Sequence, residues 1–312
     1  MTWVIRMDIG VIGLGIMGKN HVRIYSELRD IEEVCVYDID KAALKRINER
    51  FEVVACNSID SLLKKVDAVS ICVPTKYHFK VAKMAIDNNV NCLIEKPVTP
   101  TSIEGEELLK IAEKKDALTV GVGHIERFNP VVKEVKKLIS DPRYIEIQRH
   151  NPASSRINDV SVVLDLMIHD IDITWNYFFN NNEHFELYSA GNDDIRKVVV
   201  KFEDCIVSIS ASRVACKKIR TIYVEEDGFT IDGDFMTQEI YIYRKPEKYG
   251  EENTRYAQEN IIEKVLVSRV EPLREELKTF IECVKRGKQF PVTLEHGVLN
   301  LKIAERIEGS KL

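Results

Sequence analysis

The stretch DIGVIGLGIMGKNH (8–21) constrains the fold more than any other. It sets Gly13, Gly15 and Gly18 as G-x-G-x-x-G, after a strand-like run and at the opening of a helix-like one. The first glycine permits a tight turn, the second lets backbone approach a pyrophosphate, and the third lets helix pack closely on strand. The N–H groups that open the helix, around Ile16 and Met17, then face that anion. Three glycines alone are a weak signal. Here Asp38 ends the second strand-like run about 20 residues beyond Gly18, where the fingerprint expects a ribose-binding carboxylate. Such a carboxylate accepts ribose hydroxyls and repels a 2′-phosphate, which favours NAD over NADP. The alternative is that Asp38 only caps the next helix, since Asp-x-Asp precedes Lys41.

From Met7 to Val122 short β-branched runs alternate with helical patterns. That alternation predicts a parallel sheet covered on both faces, a doubly wound Rossmann domain over 1–123. Beyond Gly123 the pattern changes. Strand candidates follow one another from Phe185 to Tyr243, with turn signals at 226–228 and 232–233, and two helices finish the chain around Pro291. Residues 124–312 are therefore expected to form an α+β domain with an open, largely antiparallel sheet. The final helix is a candidate to pack back on the first domain.

A net charge of −5 argues against a nucleic-acid surface. No apolar run nears the roughly 18 residues that span a bilayer, and MTWVIRMDIG lacks the apolar core of a signal peptide. The seven cysteines are dispersed and never spaced as CxxC, the pattern of buried thiols in a reducing cytoplasm. The terminal SKL matches a peroxisomal address, which is read as coincidence.

Two further signals fall at carboxyl ends of predicted strands, where a doubly wound sheet binds its ligands. ICVPTKYH (71–78) puts Val73, Pro74, Thr75 and His78 there, and LIEKPVT (93–99) adds Glu95, Lys96 and Pro97. Pro97 keeps Lys96 out of helical geometry. A lysine so placed can handle a proton beside a cofactor, or it can be a solvated turn residue. Further on, VLDLMIHDIDI (163–173) sets ionisable groups in an apolar run. On an α-helix Asp165, His169 and Asp172 share one face. A core network, a metal site and an acid–base apparatus all fit that pattern. The sequence offers no second compact His/Asp cluster for a metal, so none is expected.

GVIGLGIMGKNH, CVPTKYH, IEKPVT and LDLMIHDID, in this order, resemble the glucose–fructose oxidoreductase and inositol dehydrogenase family (Gfo/Idh/MocA) over essentially the whole chain. The resemblance implies an NAD(P)-dependent dehydrogenase acting on CH–OH groups, with NAD preferred and Lys96, Asp165 and His169 as the catalytic set. Within the family, GVGHIERFNP (121–130) looks most like the UDP-N-acetylglucosamine 3-dehydrogenases, which oxidise the sugar C3 hydroxyl ahead of transamination to a diamino sugar. A diphosphate substrate wants bidentate arginines, so Arg127, Arg149 and Arg156, with Asn129, become the substrate candidates. A free cyclitol or sugar is the alternative substrate. A regulator that binds NAD without turnover is the alternative of another class. The open sheet predicts a homodimer or homotetramer. Asp172 reads as a hydrogen-bonding anchor, and the role of Asp170 stays open.

Overall fold

The computed structural model describes residues 6–115, 117–152, 160–245, 249–252, 255–258 and 261–310. The chain divides into two compact units, Met1–Ile125 with Glu271–Lys302, and Glu126–Val270 with Ile303–Leu312. Each is described by itself.

The first unit is built on six parallel strands: β1 (Met7–Ile12), β2 (Ile31–Tyr37), β3 (Val54–Ala55), β4 (Ala68–Ile71), β5 (Asn91–Glu95) and β6 (Val120–Gly123). Their order is β3-β2-β1-β4-β5-β6, so the strand order reverses between β1 and β4. Helices α1 (Ile16–Glu27), α2 (Lys41–Asn48), α3 (Ile59–Leu63), α4 (His78–Asp87) and α5 (Ser102–Ala112) connect the first six strands, with a single 3-10 turn at Thr75–Tyr77 before α4. β4 is buried throughout, as a strand covered on both faces must be.

The first unit extends past the sequence-based boundary at 123 by taking in α8 (Pro272–Arg286) and the beginning of α9 (Leu294–Gly309). The physical reason is local. A Cβ on Gly121 would fall 2.4 Å from the Phe290 ring, and one on Gly297 would press on Val98 and Val122. The returning segment therefore packs into space that glycines leave open. Val122 N–H donates to the Val292 carbonyl, which adds a backbone bond at the edge strand β6.

The second unit carries α6 (Pro130–Leu138) and an eight-stranded sheet. Its strands are β7 (Tyr144–Pro152), β8 (Glu186–Gly191), β9 (Ile195–Phe202), β10 (Cys205–Ser212), β11 (Val214–Glu226), β12 (Phe229–Asp234), β13 (Glu239–Arg244) and β16 (Ile261–Val265). The order is β16-β13-β12-β11-β7-β10-β9-β8, and all neighbours are antiparallel except β7 and β10. A separate ribbon pairs β14 (Tyr249–Glu252) with β15 (Arg255–Gln258). Along β9 side chains alternate exposed and buried, the signature of a sheet with one covered face. The uncovered face bears Tyr188, Val199 and Ile206.

VLDLMIHDIDI does not form a plain α-helix. Val163–Met167 and Asp172–Phe178 are π-helical, and only Ile168–Ile171, α7, is α-helical between them. The i→i+5 bonds add a residue to each turn, so a seven-residue step no longer returns to the same face. Asp165 and His169 are half-buried, whereas Asp170 and Asp172 are fully buried. The expectation that Asp172 shares their face is corrected on this geometry.

Four of the seven cysteines are buried, only Cys216 is exposed, and all seven are free thiols. Among the described residues no helix is long and apolar enough to cross a membrane.

Candidate active site

The glycine loop joins β1 to α1 as the spacing predicts. Gly13 has φ +92°, the left-handed region, and a Cβ there would meet the Cys72 backbone and Val73 N at 2.7 Å. A Cβ on Gly18 would fall 1.8 Å from the Gly13 carbonyl oxygen, which forces glycine where α1 closes on the loop. Nothing lies within 4 Å of the position a Cβ on Gly15 would take. That open space beside Gly15 is what a pyrophosphate approaching the backbone requires. Gly15 caps α1 without a side-chain bond, and the first turn holds no acidic residue, so its N–H groups are suited to an anion. Ile16 is exposed and Met17 half-buried beside them.

Asp38 stands at the end of β2 and ties the loop down. Its Oδ2 accepts the Leu14 N–H at 2.5 Å and its Oδ1 the Asp40 N–H at 2.8 Å. The helix cap is Asp40, whose side chain accepts from Ala42 N–H, so the capping role proposed for Asp38 falls to its neighbour. Each Asp38 oxygen keeps a lone pair for a ribose hydroxyl. These residues fit a nicotinamide dinucleotide.

After β4, Pro74 is exposed and Val73 and Thr75 are half-buried. His78 is 1% exposed, with Nδ1 2.8 Å from the Pro97 carbonyl oxygen and Nε2 2.8 Å from that of Val73. Its ring therefore clasps the loops after β4 and β5 to each other. Burial, the largest influence, lowers its pKa although both carbonyls favour the charged ring. Both ring nitrogens of His78, a residue expected at the cofactor, thus face backbone carbonyls.

Glu95 closes β5, buried, and Lys96 follows it half-buried, with a cis bond to Pro97. The Glu95 Oε1 lies 3.0 Å from His21 Nε2, and its Oε2 accepts the Lys96 N–H at 3.3 Å. The carboxylate thus serves the protein interior, a use not seen in the sequence. His21 was also missed there, although it lies one turn past Gly18 and so shares the face of α1 that must pack inward.

In the second unit Asp165 and His169 both lie on the 163–178 helix, each half-buried. Two arginines expected at substrate are instead spent on its neighbours. Arg127 donates Nε and Nη2 to both oxygens of Asp172, at 2.9 and 2.7 Å, and Asn176 adds a bond to Asp172 Oδ1. Arg149, 1% exposed, reaches Asp170 Oδ1 through Nη2 at 2.7 Å and Glu126 Oε1 through Nη1 at 2.9 Å. Asn129, also buried, donates to Glu126 and to the Phe235 carbonyl while its Oδ1 caps α6. Arg127, Asn129 and Arg149, expected at the substrate, are thus buried and bonded within the second unit. Arg156 lies outside the described residues.

The same pairing answers the metal alternative at this helix, because the carboxylates of Asp170 and Asp172 are taken by arginines. Burial raises the Asp170 pKa against the pull of Arg149, whereas Arg149 and Arg220 together bring Glu126 below the ordinary carboxylate range despite its burial. Arg220 is the cation that sequence reasoning overlooked. It pairs with Arg149 across β11 and β7, its Nη1 lies 3.1 Å from Glu126 Oε1, and its side chain is 25% exposed. It also lies within electrostatic reach of Asp165.

A model of an oxidoreductase family with an NAD-binding Rossmann fold, Gfo/Idh/MocA, matches residues 7–124. A UDP-N-acetylglucosamine 3-dehydrogenase of Acidithiobacillus ferrooxidans is 31% identical over 249 residues, 77% of this chain and 78% of that protein. The solved structure of a UDP-N-acetylglucosamine 3-dehydrogenase from that bacterium is similar with a TM-score of 0.86 at 26% identity, covering 97% of this chain and 96% of its own. A myo-inositol 2-dehydrogenase of Thermotoga maritima is 24% identical over 319 residues, 95% of this chain and 93% of that protein.

Proposed function

The chain belongs to the Gfo/Idh/MocA oxidoreductase family, whose members relevant here act on sugar hydroxyls with a nicotinamide cofactor, and from that premise we propose that it oxidises C3 of a UDP-N-acetylhexosamine with NAD. The likeness to the UDP-N-acetylglucosamine 3-dehydrogenase over most of both chains carries this reading. The carboxylate of Asp38 at the end of β2 supports NAD over NADP, since a 2′-phosphate would meet a like charge.

When bound, the nicotinamide accepts a hydride at its C4. The residues of this chain handle what remains. His169 takes the proton of the reacting hydroxyl. Lys96 hydrogen-bonds the same oxygen and stabilises the negative charge that develops on it. Asp165 binds a neighbouring hydroxyl. Arg127 and Arg149 are buried against their carboxylates, whereas Arg220, paired with Glu126 through Nη1, keeps its side chain 25% exposed and is the guanidinium we assign to the substrate diphosphate.

Thermal unfolding tests the substrate and cofactor together. UDP or UDP-N-acetylglucosamine with NAD is expected to raise the melting temperature by roughly 5 °C at saturation, because a ligand of the folded state alone adds its binding free energy to stability. Stabilisation by myo-inositol and not by UDP would transfer the reading to a free cyclitol. Stabilisation by NADP equal to that by NAD would remove the cofactor preference.

The exposed Tyr188 and Val199 are register partners on β8 and β9, an uncovered apolar pair that supports a homodimer or homotetramer. Light scattering at micromolar concentration is expected to give at least twice the chain mass. The mass of one chain would eliminate the oligomer.

A further inference from the structure

We infer that His21 is a positioning residue which, through Glu95, fixes Lys96 in place and keeps a negative charge beneath it. The inference rests on the role given to Lys96 above. His21 is 0% exposed on α1, and Glu95 is 7% exposed at the end of β5. Their 3.0 Å contact joins the helix that opens at the glycine loop to the strand that delivers the lysine. The second oxygen of Glu95 holds the Lys96 backbone N–H. On the other side of the lysine the Pro97 carbonyl is held by His78. Lys96 is therefore held at its own N–H by Glu95, and the residue after it is held at its carbonyl by His78, both buried side chains.

The chain makes room for this carboxylate. A Cβ on Gly123 of β6 would stand 3.3 Å from Glu95 Cδ and Oε1, so the strand beside it is a glycine at that point. A buried carboxylate is costly unless it is paired and hydrogen-bonded. Burial does push Glu95 upward, but the hydrogen bond from His21 and the charge of Lys96 help to outweigh it and hold the carboxyl below its ordinary range. The other acidic groups that feel its charge are Tyr25 and Cys72. Burial, together with the carboxylates of Glu95 and Glu276, raises the Cys72 thiol well above its ordinary value. His21, Cys72 and Glu95 offer ligand atoms within 4.8 Å of one another, and in this structure the histidine and the carboxylate are bonded to each other.

A negative charge held against the Lys96 backbone attracts its ammonium, which then reaches the reacting oxygen as a full cation. Losing that charge frees the amine to react as a nucleophile. The test measures this directly, with no substrate needed. Acetic anhydride labels amines in proportion to their neutral fraction, and peptide mass spectrometry reads Lys96 against other lysines of the same chain.

Glu95→Gln and His21→Leu are expected to speed labelling of Lys96 about tenfold at fixed pH, with NADH affinity by fluorescence within about threefold of wild type. His21→Gln keeps a donor for Glu95 and is expected to label as wild type. Where wild-type turnover is measurable, kcat falls in the first two variants and returns in the third. Lys96 labelling unchanged in Glu95→Gln overturns the inference, as does NADH affinity falling in step with kcat, which marks a packing role. His21→Leu that fails to fold leaves Glu95→Gln and His21→Gln to decide. An active Lys96→Ala enzyme would defeat the catalytic reading, while the labelling result would still report on the His21–Glu95 device.

Discussion

Replacing Arg149 by leucine is expected to lower the unfolding free energy by about 3–5 kcal/mol. The guanidinium is fully enclosed, and three of its nitrogens are committed: Nε and Nη2 to Asp170 and Nη1 to Glu126. Its face also lies over the Phe235 ring at 5.8 Å. Burial opposes its charge, but the two carboxylates outweigh that and raise its hold on the proton. Removing it strands Asp170, which is 0% exposed and whose carboxyl is already pushed upward by burial. Most of the loss comes from that stranded charge rather than from the pair itself, which a comparison of variants exposes. Arg149→Leu combined with Asp170→Leu is expected to recover at least half of the loss, since Glu126 keeps Arg220 and Asn129 as partners. Urea unfolding of the wild type, Arg149→Leu, Asp170→Leu and the double variant measures it. A single variant that loses less than about 1 kcal/mol, or a double variant that loses the sum of two singles, would sink this account.

That network also shows where reading a sequence reaches its limit. The doubly wound unit was legible because its cause is local: an apolar run, then a glycine loop, then a helix pattern, repeated. Gly18 is required by the Gly13 carbonyl within the same loop and Gly13 by its own left-handed φ, so the spacing identifies both. Arg149 is different. Its partners Glu126 and Asp170 lie more than twenty residues to either side, and its neighbour Arg220 is fixed by strand register. From composition a junction arginine looks as ready for a phosphate as for a carboxylate, so Arg127 and Arg149 were assigned to the substrate and Arg220 was overlooked. The 163–178 helix fails for another reason. A face drawn with α-helical spacing puts Asp172 beside Asp165 and His169, but the π-helical turns rotate it into the core, where Arg127 awaits it. Its reading as an anchor survives, because an aspartate among Ile171, Ile173 and Trp175 needs an internal partner wherever the turn ends. The strand ribbon at 249–258 was not foreseen, since its alternation is too short and polar to stand out.

Lys96→Ala and His169→Ala are each expected to cut turnover about 100-fold or more while NAD affinity stays within a few-fold. A factor of 100 corresponds to about 2.7 kcal/mol of transition-state stabilisation, the scale of one positioned proton acceptor or one charged donor at a developing oxyanion. The dinucleotide is held elsewhere, by the Gly13–Gly18 loop, the α1 N-terminus and Asp38, so its affinity should report an intact first unit. The two variants part company in their pH dependence. If His169 is the base, its loss flattens the acidic limb of the kcat/KM profile, because no imidazole remains to be deprotonated. If Lys96 is the electrophilic partner, its loss lowers kcat and kcat/KM by the same factor and leaves that acidic limb in place. His169→Ala with turnover within about threefold of wild type would strike it from the reaction, and the acidic limb would then have to come from another group.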